Sequence, residues 1–193
     1  MEIDEIVKKL KTAEQVVAIK TDTVYGLICN SYDEKACKKI YKIKNREDKK
    51  PLSIFVKNVE EVKKYVDSSV LSEKLRNLMN KYWPGALTII LKKKDNVFND
   101  ITCGFNTIGI RIPDDKDLLE ILNKVDFPLA QTSCNVSGEP EYKSAKEIKD
   151  KLGDKIDLIV DGGEIKESIP STVIEVKDHK IKVIRQGAIL IDE

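Results

Sequence analysis

Val16-Val17-Ala18-Ile19-Lys20-Thr21-Asp22-Thr23-Val24-Tyr25-Gly26-Leu27 carries an apolar run of buried-strand length into a hydroxyl-rich loop. Ahead of it, Ile3, Ile6, Val7 and Leu10 recur at helical spacing, so the chain opens as helix and then strand. The loop spans Thr21 to Leu27. Beyond it Ala36, Ile40, Tyr41 and Ile43 predict a helix, and Pro51 to Val56 a strand. Two more helical patterns follow, over about residues 59 to 66 and 70 to 82, the second stopped by Trp83-Pro84-Gly85.

Leu87 to Leu91 and Thr107 to Ile112 read as strands, with Leu118, Leu119 and Leu122 marking a helix after them. Phe127 to Thr132 then leads into Ser133-Cys134-Asn135. Ser144 and Glu147 have the spacing of a capping box, Ile156 to Val160 predicts a strand, and Thr172 to Val176 and Ile181 to Arg185 form a closing strand pair. Helices and strands alternate while the carboxyl end is antiparallel. The expected fold class is α/β, an open twisted mixed sheet flanked by helices, in one domain over residues 1–193.

Composition removes several kinds of chemistry. Lys and Arg number 34 against 33 Asp and Glu, so no global charge draws the chain to nucleic acid or an acidic membrane. No apolar run approaches a membrane span, and Met1 to Glu5 is too acidic for a signal peptide, which makes a cytoplasmic location the expectation. Cys29, Cys37, Cys103 and Cys134 include no C-x-x-C pair and are expected as reduced thiols. His179 is the one histidine, and its place in Lys177-Asp178-His179-Lys180 predicts a solvated turn. A multi-histidine metal site is therefore impossible, and any nucleophile-histidine system would have to rest on that turn. Neither G-x-G-x-x-G after the first strand nor G-x-x-x-x-G-K-[ST] occurs, so bound phosphates would be held largely by side chains.

Lys38, Lys39, Lys42, Lys44, Arg46, Lys49 and Lys50 form the densest basic block. A solvated helix face running into a loop accounts for such a block. Its end against the Pro51 strand also lets Lys44, Arg46 and Lys50 reach over a sheet edge to phosphate, with Arg as a bidentate fork and Lys as a compact charge. Thr21, Asp22, Thr23 and Tyr25 can be turn residues or ligand contacts, and so can Ser133, Asn135, Ser137 and Ser171-Thr172. Arg111 lies inside an apolar strand, where its charge demands either a salt bridge or an anion site; Arg185 raises the same question. The loop, the basic cluster and the S-x-N segment together point to an enzyme that uses a nucleotide.

These segments resemble the YrdC-type L-threonylcarbamoyladenylate synthases over nearly the whole chain. The resemblance rests on Thr21 to Leu27, the K-x-R of Lys44 to Arg46 followed by Pro51-Leu52, and Trp83-Pro84-Gly85-Ala86-Leu87-Thr88. It continues through Thr107 to Pro113, the S-x-N of Ser133 to Asn135 with Ser137-Gly138, Ser171-Thr172-Val173 and Arg185-Gln186-Gly187. It implies a YrdC-like fold with a concave ligand surface that joins L-threonine, bicarbonate and ATP into threonylcarbamoyl-AMP and releases pyrophosphate. The adenylate then goes to a partner tRNA threonylcarbamoyl transferase, with tRNA contact as a further expectation.

By position, the resemblance implies ATP contacts at Lys44, Arg46, Lys50, Thr107, Ser133, Asn135 and Arg185, with Lys44 and Arg46 as the catalytic pair. It implies L-threonine contacts at Thr23, Arg111, Gln131 and Ser171. Magnesium would accompany ATP, and no tightly bound organic cofactor is expected. Phe55 stands where many relatives have histidine, and Lys50 where many have asparagine. Larger relatives continue into a second domain; this chain, ending at Glu193, reads as the single-domain form. Two other readings compete. An RNA-binding module would use the Lys38 to Lys50 surface, but candidate exposed aromatics are scarce. A carbamoyl-adenylate-forming domain of hydrogenase maturation would normally sit in a much longer chain.

Overall fold

The computed structural model describes residues 2–47, 50–178 and 180–191; the expected turn position of His179 and the Lys49 charge lie outside the described residues. The first helix, α1 (Ile3–Lys11), buries Ile6, Val7 and Leu10, with Asp4 and Glu5 in its first turn and lysines in its last, matching its dipole. Then come β1 (Val17–Lys20) and β2 (Tyr25–Asn30), paired antiparallel with Lys20 opposite Tyr25. The sequence reading carried the loop to Leu27, and here it is corrected. The turn ends at Val24 because the Thr21 hydroxyl donates to the Val24 carbonyl (2.6 Å) and accepts from the amides of Thr23 and Val24. The second strand was hidden because Tyr25 to Cys29 is buried throughout and lacks the alternation of a half-exposed strand.

The chain continues through α2 (Glu34–Lys44), β3 (Ser53–Phe55), α3 (Val59–Tyr65), α4 (Glu73–Tyr82), β4 (Leu87–Lys92) and β5 (Thr107–Arg111). It closes with α5 (Lys116–Lys124), β6 (Leu129–Ser133), α6 (Ala145–Leu152), β7 (Leu158–Ile159), β8 (Thr172–Lys177) and β9 (Lys180–Arg185). Side-chain caps fix the helix starts. Asp33, Asn58, Ser72, Asp115 and Ser144 each accept a backbone N–H of the first turn. The helix expected over 70 to 82 thus begins only at Glu73, behind the Ser72 cap and a separate 3-10 turn at Ser68–Val70. At α6, Ser144 caps as expected, but the Glu147 carboxylate accepts from the Lys143 amide, one residue beyond the Ser144 amide that a reciprocal box would use.

The nine strands of the described residues join in one mixed sheet, ordered β7-β1-β2-β6-β3-β5-β4-β8-β9. On one face Ala18, Leu27, Ile54, Ile89, Ile110 and Ile174 pack with the apolar sides of α2, α3, α4 and α6. On the other, Val17, Ile19, Ile28, Phe55 and Leu129 pack with α1 and α5, the two described helices on that face. The strands run on beyond that pair of helices, and on the same face the residue type changes: Leu129 gives way to Gln131 and Ser133, Phe55 to Ser53, Ile28 to Gly26. No described helix is long and apolar enough to cross a membrane.

Ile54 sits at the centre of the sheet with no solvent exposure, so Ile54→Ala should cost about 2–5 kcal/mol in urea unfolding. A loss below about 1 kcal/mol would show that the covered face is packed differently.

Candidate active site

The uncovered half of the second face forms the floor of a cleft of about 330 Å³. Ser53 is registered with both Gln131 and Gly109, and the Gln131 amide donates to the Ser53 hydroxyl, giving a flat polar floor. Gly109 keeps that floor low. A Cβ there would stand 3.0 Å from the Ser53 Cβ and 3.4 Å from the Thr88 methyl.

Arg111 closes one end. Only 3% exposed, it donates from Nε to the Gly85 carbonyl (3.0 Å), from Nη1 to the Thr23 hydroxyl (3.1 Å) and from Nη2 to Asp22 Oδ1 (2.6 Å), and it lies 5.7 Å from the Phe55 ring centre. Burial lowers its pKa while Asp22 opposes that shift, and a guanidinium stays cationic in either case. The sequence left salt bridge and anion site as alternatives; Arg111 forms the bridge and lines the cleft as well. Three of its five N–H groups are engaged by these bonds, so donors remain for a ligand.

Beside it, the Ser171 hydroxyl pairs with the Thr88 hydroxyl at 3.0 Å, and Arg185 donates to the Ser171 carbonyl through Nε and Nη2. Thr172 ties in the tail, its hydroxyl donating to the Ile189 carbonyl and accepting from the amides of Gly187 and Ile189. Gly187 is required where the tail crosses: a Cβ would come within 2.2 Å of the Pro170 carbonyl.

The other end is built by the segment after α2. Asn45, left-handed at φ 47°, terminates the helix, and Arg46 then folds back to donate to the carbonyls of Lys50 and Pro51, both at 2.9 Å. Across the cleft stands Ser133, its hydroxyl donating to Asn135 Oδ1 at 2.7 Å. The Lys44 ammonium lies behind this loop, donating to the carbonyls of Ser133 and Asn135 and to Asn135 Oδ1.

Thr23, Arg46, Thr107, Arg111, Gln131, Ser133, Ser171 and Arg185 therefore come together around one cleft. Lys44, Lys50 and Asn135 are not among the residues that line it. Lys44 and Asn135 are turned into the wall, and Lys50 faces solvent while its carbonyl anchors Arg46. Tyr25 also points away, its hydroxyl joining the Gly162 amide and the Gly163 carbonyl. The sequence reading missed Ser53, Thr88 and Gly109 as cleft residues. A glycine inside an apolar strand was the available signal for the last. Among the described residues no group of three His, Cys, Asp or Glu is placed to hold a metal, and all four cysteines are free thiols.

Asp22 is the charge partner of a nearly buried cation, so Asp22→Ala should destabilise the fold by about 3 kcal/mol in chemical denaturation. An unchanged midpoint would show that Thr23 and Gly85 suffice to hold Arg111.

Relatives place this cleft in a family. The Sua5/YciO/YrdC family model, described as Telomere recombination, matches residues 9–187. A protein of Methanocaldococcus jannaschii named putative threonylcarbamoyl-AMP synthase is 40% identical over 98% of this chain and 87% of its own length. The threonylcarbamoyl-AMP synthase of Pyrococcus abyssi is 34% identical over 93% of this chain and 52% of its own. The crystal structure of P. abyssi Sua5 complexed with L-threonine superposes with a TM-score of 0.89 at 32% identity, covering 96% of this chain and 54% of that one. The chain thus spans about half the length of the Pyrococcus relative and most of the Methanocaldococcus one. With the family model matched over nearly all of it and a relative 40% identical over 98% of it, the chain belongs to the Sua5/YciO/YrdC family.

Proposed function

We propose that the protein is an L-threonylcarbamoyladenylate synthase, joining L-threonine, bicarbonate and ATP into threonylcarbamoyl-AMP and pyrophosphate. The observation that carries this reading is a single cleft with an arginine site for a carboxylate at one end and an arginine-hydroxyl site for phosphates at the other. Relatives named threonylcarbamoyl-AMP synthase and the threonine complex of the P. abyssi protein support it.

In this reading the free donors of Arg111 take the threonine carboxylate, with Thr23, Gln131 and Ser171 around the rest of the amino acid. Arg46, Ser133, Thr107 and Arg185 face the nucleotide, and Lys50 adds charge at the rim. Threonine's deprotonated amine forms a C–N bond to bicarbonate carbon and water leaves, giving a carbamate. A carbamate oxygen then forms a bond to the α-phosphorus while the α–β bridging oxygen leaves with pyrophosphate. Such a displacement needs alignment and charge neutralisation, which fixed donors supply without reorganisation. Magnesium enters as part of the substrate, on the ATP phosphates. The adenylate is passed, in the cytoplasm, to a tRNA threonylcarbamoyl transferase.

The alternative of an RNA platform over Lys38 to Lys50 is not favoured. Lys44 is interior, and Lys38 and Lys39 are paired with Glu34 and Asp157.

Pyrophosphate release from ATP and magnesium should require both L-threonine and bicarbonate, with L-serine much poorer. Arg46→Ala should lower turnover about 100-fold or more in folded protein, while Arg111→Lys should raise KM for threonine more than KM for ATP. Release that ignores threonine, or full turnover in Arg46→Ala, would contradict the assignment.

A further inference from the structure

Lys44 ends α2 and is only 1% exposed, yet no carboxylate pairs with it among the described residues. Its three ammonium protons meet three oxygens of one loop: the Ser133 carbonyl, the Asn135 carbonyl at 2.8 Å and Asn135 Oδ1 at 2.7 Å. The loop closes around the same residue, with the Ser137 backbone amide donating to the Lys44 carbonyl at 2.8 Å and the Asn135 side-chain amide (Nδ2) to the Glu139 carbonyl. The segment from Ser133 to Glu139 is therefore wound on a buried cation.

Among the described residues the charges around that cation offset its burial only weakly. From the end of α2 the Arg46 guanidinium repels it; from the loop Cys134 faces it as a neutral thiol, burial having pushed its pKa up to about 12. Glu141 contributes a weaker attraction, Glu139 is engaged by the Tyr142 hydroxyl, and Glu147 of α6 acts on Cys134. Desolvation first and Arg46 second bring the Lys44 pKa down to about 8. Two cations two residues apart, one in the wall and one in the cleft, await negative charge from outside.

Resting on the nucleotide reading above, we propose that Lys44 is a positioning residue that does not touch ATP: it holds the S-x-N loop so that Ser133 faces the phosphates, and nucleotide binding is coupled to its protonation. The neutral amine has two protons for three acceptors, so losing one releases a loop oxygen and removes the charge. The sign follows from the lowered pKa. Below pH about 8 the ammonium is intact and the site is formed; above it the proton must be regained on binding.

The test is equilibrium binding of a non-hydrolysable ATP analogue with magnesium, without amino acid, from about pH 7 to about pH 9.5, the range that brackets a lysine lowered by burial. A Cys103→Ser background is used, which removes a thiol 3.2 Å from the Tyr41 hydroxyl near Arg46. The analogue's own phosphate ionisation is titrated without protein and subtracted. Affinity should fall up to about tenfold per pH unit above about 8, and binding at pH about 8.5 should take up protons, read from calorimetry in buffers of different ionisation enthalpy. Lys44→Met should bind weakly with no pH dependence, and adding Asn135→Ala should weaken it little further, since both act through one loop. A flat wild-type profile with no proton uptake would overturn the proposal and leave the nucleotide site standing, and this profile decides even if Lys44→Met does not fold. No binding by the unsubstituted protein at any pH would overturn the nucleotide reading and this proposal with it.

Discussion

Among the described residues two helices, α1 and α5, pack on the second face of a nine-stranded sheet, while four cover the first, and the chemistry of the protein depends on that imbalance. Each strand that leaves the shelter of the two helices must change residue type at period two, because an apolar side chain there would face water. Leu129, Gln131 and Ser133 on one strand, and Phe55 and Ser53 on its neighbour, record that change. The same backbone that builds the core thus places hydroxyls, an amide and guanidinium groups at fixed spacing along the open half. Rigid strands hold most of the cleft floor, and loops complete its two ends.

The cations of the cleft are held mainly by neutral oxygens. Arg46 is anchored by two carbonyls and Arg185 by Ser171, as is Lys44, in the wall behind them, by loop oxygens; Asp22, on Arg111, is the one acidic side chain in these contacts. Anchoring by carbonyls fixes each side chain without cancelling its charge. The cleft therefore keeps a positive field for a carboxylate at one end and phosphates at the other, and the surrounding low-dielectric wall strengthens it. Arg111, paired with Asp22, keeps two of its N–H donors outside these bonds.

The periodicity of the sequence was enough for most elements and for the mixed sheet. It missed β2, since a strand buried on both faces has no alternation to read, and it missed the turn at Val24 because the closure depends on one hydroxyl of Thr21. Arg111 was legible as a charge in an apolar strand. The inward turn of Lys44 was not, because a lysine in a run of lysines at a helix end reads as solvated until the loop from Ser133 to Glu139 is seen wrapped around it. Gly109 and Ser53 escaped for a related reason: their role comes from register between strands distant in sequence.

A crystal structure with L-threonine and a non-hydrolysable ATP analogue bound together tests most directly whether the open half-face holds both substrates. The account predicts the threonine carboxylate on Arg111, the phosphate chain between Arg46 and Ser133, and the Lys44 ammonium still behind the loop. Phosphates seated instead on the outer face of α2, or threonine bound away from Arg111, would contradict it.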